Sequence, residues 1–401
     1  MSGLHKKIKT FLLAVLMVLP ATVYAQTAEY SSRVVDAETG EPLPMATVQG
    51  VAESTVTNIE GLFCVKADAG DVLKISYIGY KSVSIKASDI KANIKLKPAD
   101  IQLKEVEVSP FTPTLEKIIK KSVKTLQKHH RKRANFLYRQ TTEVDGTTSS
   151  MVEAFFNAYS TYNVYDMQLI TGRYSENDKS PDKNFSHISN LYLLSQILLV
   201  SERSMPRFFG SRLMPIFKNY KKYFETDYDI IDDGERKVYS IRFMPHDNLP
   251  WAVFDGKVYV DAASLKLLRA EGRMRNVKIK TGYEIAENDT LPADLRFTVN
   301  FKEDSKAGEV ESVSVVAEYE NTEHKIAFSS ILYNVGKRNV GKAIRADYKK
   351  DLRLQIDEIG YDRDFWRANE IVKRTAVEEE IMRKKGLSEI ESYLQIHPDE
   401  L

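Results

Sequence analysis

The chain has 401 residues, more than one small domain needs, so two or three folded units are expected. Its 58 Lys and Arg against 56 Asp and Glu leave it close to neutral, which argues against a global attraction to nucleic acid. A single cysteine, Cys64, excludes an intramolecular disulfide.

Residues 1–25 read as a secretory signal peptide. Lys6, Lys7 and Lys9 precede the apolar run Phe11 to Leu19, which is too short to span a bilayer, and Val23-Tyr24-Ala25 is an A-x-A-like cleavage site. Cleavage removes three lysines and no acid, leaving 55 basic against 56 acidic residues. The expected location is the periplasm or the outer membrane's periphery.

Short β patterns come next. Arg33-Val34-Val35, Ala46-Thr47-Val48, Leu62 to Val65, Val72 to Ile78, Lys81 to Lys86 and Asn93 to Lys97 alternate or are β-branched, and turn residues separate them. Asn58-Ile59-Glu60-Gly61 is a turn with Gly61 free to take a positive φ. Cys64, between Phe63 and Val65, is expected as a buried strand residue. Ile101 to Val108 alternates once more, either closing this unit or leading out of it.

The stretches VVDAETGEPLPMATV, TVTNIEGLFCV and ISYIGYKSVSI resemble, in order and spacing, the carboxypeptidase-regulatory-like domain. The resemblance implies a seven-stranded transthyretin/Ig-like β-sandwich over residues 26–108, of a kind common in secreted and outer-membrane proteins of Bacteroidetes. It implies no peptidase, because the sandwich lacks zinc ligands. Ser32 stands where the family usually has Gly, and Asn58 where it usually has Asp.

Residues 109–134 read as a basic amphipathic helix and linker. Thr112 and Pro113 suit its start, and Leu115, Ile118, Ile119, Val123 and Leu126 form one apolar stripe. Lysines fill the rest, and the helix is expected to run into Lys128 to Arg133. The Lys117–Arg133 segment reads either as a surface for anionic head groups or as a solvated helix face. His129-His130 is no metal motif, since neighbours on a helix point about 100° apart.

Residues 135–360 read as a β-rich α+β domain. Asn135 to Val144 pairs with Met151 to Ser160 through Asp145-Gly146, and Tyr162 to Tyr174 continues the sheet. Ile188 to Val200 reads as a helix, and Met205 to Pro215 as a loop carrying Phe208-Phe209. Strands are expected at 237–243, 253–260, 266–273, 277–285, 295–301, 310–319 and 324–333, with turns at Asp255-Gly256 and at Asp261 to Ser264. The segment FDGKVYVDAASLKLLRAEG resembles the hairpins of periplasmic lipoprotein carriers, whose curved antiparallel sheet holds an acyl chain. Residues 361–401 read as a helical end: Tyr361 to Trp366, then a helix from Ala368 to Lys385, with Trp366 as a packing anchor. A YDxDFW stretch before an acidic helix is similar to larger Bacteroidetes proteins of unknown function.

The fold class is therefore mainly β with α: a β-sandwich, a helix with a curved antiparallel sheet, and a C-terminal helix. No GxSxG, HExxH, GxxxxGK[ST], CxxC or GxGxxG motif is present. Asp232-Asp233 would point to opposite faces of a strand. The sequence nominates no catalytic, cofactor-binding or metal-ligating residue. Two functions remain: an exported non-catalytic envelope protein, its sandwich a docking or spacer module and its β-rich body binding a protein, lipid or glycan partner, or an envelope or polysaccharide-processing hydrolase with its site in the C-terminal β domain.

Overall fold

The computed structural model describes residues 27–51, 53–102, 114–126, 132–161, 163–177, 180–181, 188–196, 220–247, 249, 253–280, 290–303, 308–321, 323–337, 341–348, 350–369, 371–375, 378 and 381. The proposed signal peptide, the Met205 to Pro215 loop, His129-His130 and the last 20 residues lie outside these. Strands dominate, with few helices among the described residues.

The N-terminal strands are β1 (Ala28–Asp36), β2 (Thr47–Gln49), β3 (Ser54–Val56), β4 (Leu62–Ala67), β5 (Val72–Ser76), β6 (Val83–Lys86) and β7 (Asn93–Leu96). They form two sheets, ordered β4-β1-β7 and β3-β2-β5-β6, around one core that includes Val34, Val48, Phe63, Leu73, Ile75 and Leu96. The Asn58 to Gly61 turn forms as expected. Gly61 has φ +74°, and a Cβ there would lie 2.6 Å from the Val34 carbonyl oxygen. Cys64 corrects the expectation of burial. The two-residue period that buries Phe63 and Val65 turns Cys64 to the other face, where it is half-buried.

The other described strands build one antiparallel sheet of twelve. Its members are β8 (Asp100–Gln102), β9 (Lys132–Val144), β10 (Thr147–Ser160), β11 (Val164–Glu176), β12 (Phe224–Asp232), β13 (Lys237–Pro245), β14 (Val253–Asp261), β15 (Leu267–Lys280), β16 (Thr290–Phe301), β17 (Val310–Glu320), β18 (Lys325–Gly336) and β19 (Ile344–Arg345). Their order is β19-β11-β10-β9-β18-β17-β16-β15-β14-β13-β12-β8. β8 leaves the N-terminal module and pairs with β12, so the two modules share a hydrogen-bonded strand. Asp145 and Gly146, both at positive φ, make the tight β9–β10 turn the sequence announced. Register shifts recur along several pairs, and such bulges bend strands.

The helices with described bounds are α1 (Leu115–Leu126), α2 (Leu191–Gln196), α3 (Leu352–Ile359) and α4 (Arg363–Ala368). Ile118, Ile119 and Leu126 of α1 insert into the apolar face of the large sheet, among Phe136, Phe156, Phe254, Phe297 and Phe328. Leu191 and Leu194 of α2 and Ile356 of α3 join them. Among the described residues no helix is long and apolar enough to cross a membrane.

Four further expectations need correcting. The basic helix does not run through Arg133: it is described over Leu115–Leu126, and Lys132 and Arg133 belong to β9, where Arg133 stacks on Tyr159 and pairs with Asp166. Asp255-Gly256 is no turn. It lies inside β14, whose two edges are both paired, and Gly256 stands opposite Gly272 because a Cβ there would come within 2.1 Å of the Glu271 carbonyl. Of the separate strand expected at 277–285, residues 277–280 are instead the continuation of β15 past an irregularity after Met274, and 281–285 lie outside the described residues. The helix expected at 368–385 is not continuous: α4 stops at Ala368, and 371–375 is not helical.

Candidate functional site

The two faces of the large sheet differ in chemistry. On β13 to β17, Phe243, Phe254, Phe297 and Val315 point to the helix-covered core. Alternate residues point to the opposite face, which the N-terminal module covers at one end only. There the carbonyl oxygen of Met45 accepts from Asn300, Tyr333 donates to the Ser54 carbonyl, and Ala99 and Ile78 pack with Val238, Tyr259 and Leu268.

Beyond this contact lies a groove of about 820 Å³. Pro44, Met45, Ile59 and Tyr77 of the N-terminal module form one wall, and the floor carries charged and hydroxyl side chains together with Val316 and Ile331. Its charges are tied across strands. Asp255, almost fully buried, accepts from Arg242 at 2.6 Å and from Arg275 at 2.6 Å. Arg273 pairs with Asp294 at 3.2 Å, and Arg296 with Glu318 at 3.0 Å. Thr298, Ser314 and Ser329 add hydroxyls.

A buried network joins the groove to its wall. The Arg269 guanidinium lies 4.0 Å from the Tyr77 ring centre and donates to the Tyr77 hydroxyl. It also pairs with Glu271 at 2.6 Å, and Tyr259 donates to the same carboxylate at 2.6 Å. Burial raises the Glu271 carboxyl, but Arg269 and the Tyr259 hydroxyl outweigh it and hold the group below its ordinary range. Burial and Glu271 push the Tyr259 hydroxyl well up. Glu271 is thus a fixed anion at neutral pH, unsuited to carrying a proton. The other two carboxylates lining the groove, Asp255 and Asp294, are each engaged by arginine. Among the described residues no group of three or more His, Cys, Asp and Glu is placed to hold a metal ion.

On the same face, under the C-terminal segment, lies a second ionic cluster. Glu153 pairs with Arg139 at 2.7 Å, Arg173 at 2.6 Å and Arg374 at 3.2 Å. Arg139 also donates to the carbonyls of Val372 and Lys373, and this explains why 371–375 is not helical: a helix would commit those oxygens to its own ladder. Thr375 and Glu378 then cap each other reciprocally. The N-terminal module grips this strap through Thr55, which donates to the Ile371 carbonyl at 2.6 Å, and Asn58, which donates to that of Lys373. Trp366 is the packing anchor the sequence suggested, buried against Phe155 with Arg173 over its ring. Asp233 caps its own turn, accepting from the backbone of Glu235 and Arg236.

Residues 30–108 match the model of the CarboxypepD_reg-like domain. This region is a CarboxypepD_reg-like domain. No curated protein matches the chain. Among solved structures, a LolA superfamily protein from Nitrosomonas europaea is similar at 13% identity and a TM-score of 0.23, over 57% of this chain and 96% of that one. A DUF1329 family protein from Desulfovibrio piger is similar at 11% identity and 0.22, over 55% and 93%. MucB in complex with MucA(peri) is similar at 9% and 0.16, over 54% and 92%. Overlaps this low leave the role of the chain to its own residues.

None of the groove residues was nominated from the sequence. Their signal was present: Asp-x-Lys in β14, Glu-x-Arg-x-Arg in β15 and Asp-x-Arg in β16 repeat charges at period two on consecutive strands. Only the register shows that these charges share one face.

Proposed function

We propose that this is an exported, non-catalytic envelope protein, periplasmic or outer-membrane associated. In this reading residues 1–25 direct export, and residues 26–108 form a transthyretin-like docking module. The β-rich body binds its partner in the groove between the two. The observation that carries the reading is that both modules build the groove, while each carboxylate lining it is tied to an arginine. A glycoside hydrolase of the two-carboxylate kind needs a carboxyl group free to give or take a proton, and here the acids are spent on positioning cations.

The two other surfaces supply less. The apolar face of the sheet is filled by α1, α2 and aromatic side chains, which supports a packed core over an acyl-chain trench. The stripe of α1 is buried, so its exposed lysines Lys117, Lys120, Lys121 and Lys124 have no apolar face to insert in a bilayer. They read as a solvated helix face.

Photo-crosslinking in native cells tests the proposal. A photoreactive residue in place of Ser314, on the groove floor, should give a defined adduct in the envelope fraction, and one in place of Lys121 should not. Equal labelling at both positions, no adduct at Ser314, or recovery of the chain solely from the cytoplasm would overturn it.

A further inference from the structure

The groove floor is built of cross-strand rows. In one row Arg242, Lys257, Glu271, Thr298, Ser314 and Ile331 stand opposite one another on successive strands β13 to β18. In the next row Asp255, Arg273, Arg296, Val316 and Ser329 do the same on β14 to β18. With strands about 4.8 Å apart, the six strands present a floor about 24 Å wide.

Two contacts in these rows juxtapose like charges: Arg242 faces Lys257, and Arg273 faces Arg296. Directly opposed like charges destabilise an antiparallel pair. The acids that relieve them, Asp255, Asp294 and Glu318, sit off to the side and each holds its arginine from there. The side chains of Arg273 and Arg296 remain 57% and 56% exposed, so their guanidinium groups have donors left for solvent or a ligand. An anion lying between the members of each pair would relieve the repulsion, and arginine matches a carboxylate in a bidentate way.

We propose, building on the partner-binding reading above, that the groove takes an acidic oligosaccharide of the uronic-acid class, laid across the strands with its carboxylates at the Arg242/Lys257 and Arg273/Arg296 pairs. Thr298, Ser314 and Ser329 bring hydroxyls to the β16 to β18 side of the floor, beside Val316 and Ile331, and this mixture suits the hydroxyls and C–H faces of a sugar. Strands β14 to β17 are paired along both edges, so the floor offers side chains and little free backbone. An extended peptide, which gains most from main-chain pairing, finds no strand edge here.

Titration calorimetry of the purified chain with tetragalacturonate tests this, beside a neutral galactose tetramer and hexaglutamate. The expected result is binding of tetragalacturonate that weakens with added salt. Arg273→Gln with Arg296→Gln should weaken it about tenfold or more, as expected for lost charge-assisted hydrogen bonds. The unfolding midpoint of that variant should be unchanged, because both side chains are largely exposed; should it fail to fold, the exposed Lys257→Gln carries the comparison. No uronate binding, equal binding of the neutral tetramer, tighter binding of hexaglutamate, or no effect of the variants would overturn the proposal. If the Ser314 adduct persists while uronate binding fails, the ligand class is wrong and the partner-binding reading stands. If both fail, the groove is not a binding site.

Discussion

Replacing Glu153 by Gln should unfold this protein more effectively than almost any other isosteric change. The carboxylate is 2% exposed and holds Arg139, Arg173 and Arg374, whose side chains are 5%, 9% and 10% exposed. Water cannot take its place. The amide keeps the volume and one acceptor oxygen, but it turns an N–H donor toward guanidinium groups that need acceptors. Breaking a buried pair by removing one partner costs about 3–5 kcal/mol, and three arginines on one anion put this case at the upper end. Urea denaturation of the variant and the parent measures the loss. The Asp294→Asn change, in a pair with Arg273 that is half open to solvent, is the control and should cost about 1 kcal/mol or less. A loss at Glu153 no larger than that would refute the reasoning. Burial raises the Glu153 carboxyl, but Arg173 and Arg139 outweigh it, so the folded value lies below the ordinary 4.5. The stabilisation is therefore present above that pH and lost as pH falls through the folded value. The Gln variant should not show this acid-side loss.

Glu378 has the opposite sign: burial dominates Arg139 and holds its carboxyl above 4.5. Relative to Glu378→Gln, the parent should lose stability as pH rises through that raised value, and urea midpoints between about pH 4 and 8 should show the gap narrowing or reversing. Gly256→Ala should destabilise by about 1–3 kcal/mol, because the new Cβ would meet the Glu271 carbonyl at 2.1 Å and the Gly272 Cα at 2.7 Å; an unchanged melting temperature would show that β14 and β15 can separate there. Ile118→Ala on α1 should cost about 2–5 kcal/mol, whereas Lys121→Ala should change stability by no more than about 0.5 kcal/mol, as read by thermal unfolding.

Much of the fold was legible where a local signal had no competitor. The Asn58 to Gly61 turn, the Asp145-Gly146 hairpin and the stripe of α1 each rest on residues that fix the backbone or one face by themselves. The errors came where a distant partner outweighed the local signal. Asp255-Gly256 reads as a turn, but β13 and β15 hydrogen-bond both edges of that segment, and the small residue serves the close approach of Gly272. Ile371 to Thr375 has helical spacing, but Arg139, more than 200 positions away in sequence, takes two of its carbonyls. Cys64 looked internal because its neighbours are, though a strand's period makes those neighbours the reason it points away.

By itself the sequence determined the CarboxypepD_reg-like domain at residues 30–108 and the β character of the chain beyond it, because turn residues and two-residue periodicity act over a few positions. Only the tertiary structure decided that β8 joins the large sheet, that the N-terminal module covers one end of that sheet's polar face, and that Arg242, Lys257, Arg273 and Arg296 meet beside it. These depend on strand register, and register is set by pairings between segments far apart in the chain, where a shift of one residue would turn every one of those charges to the other face.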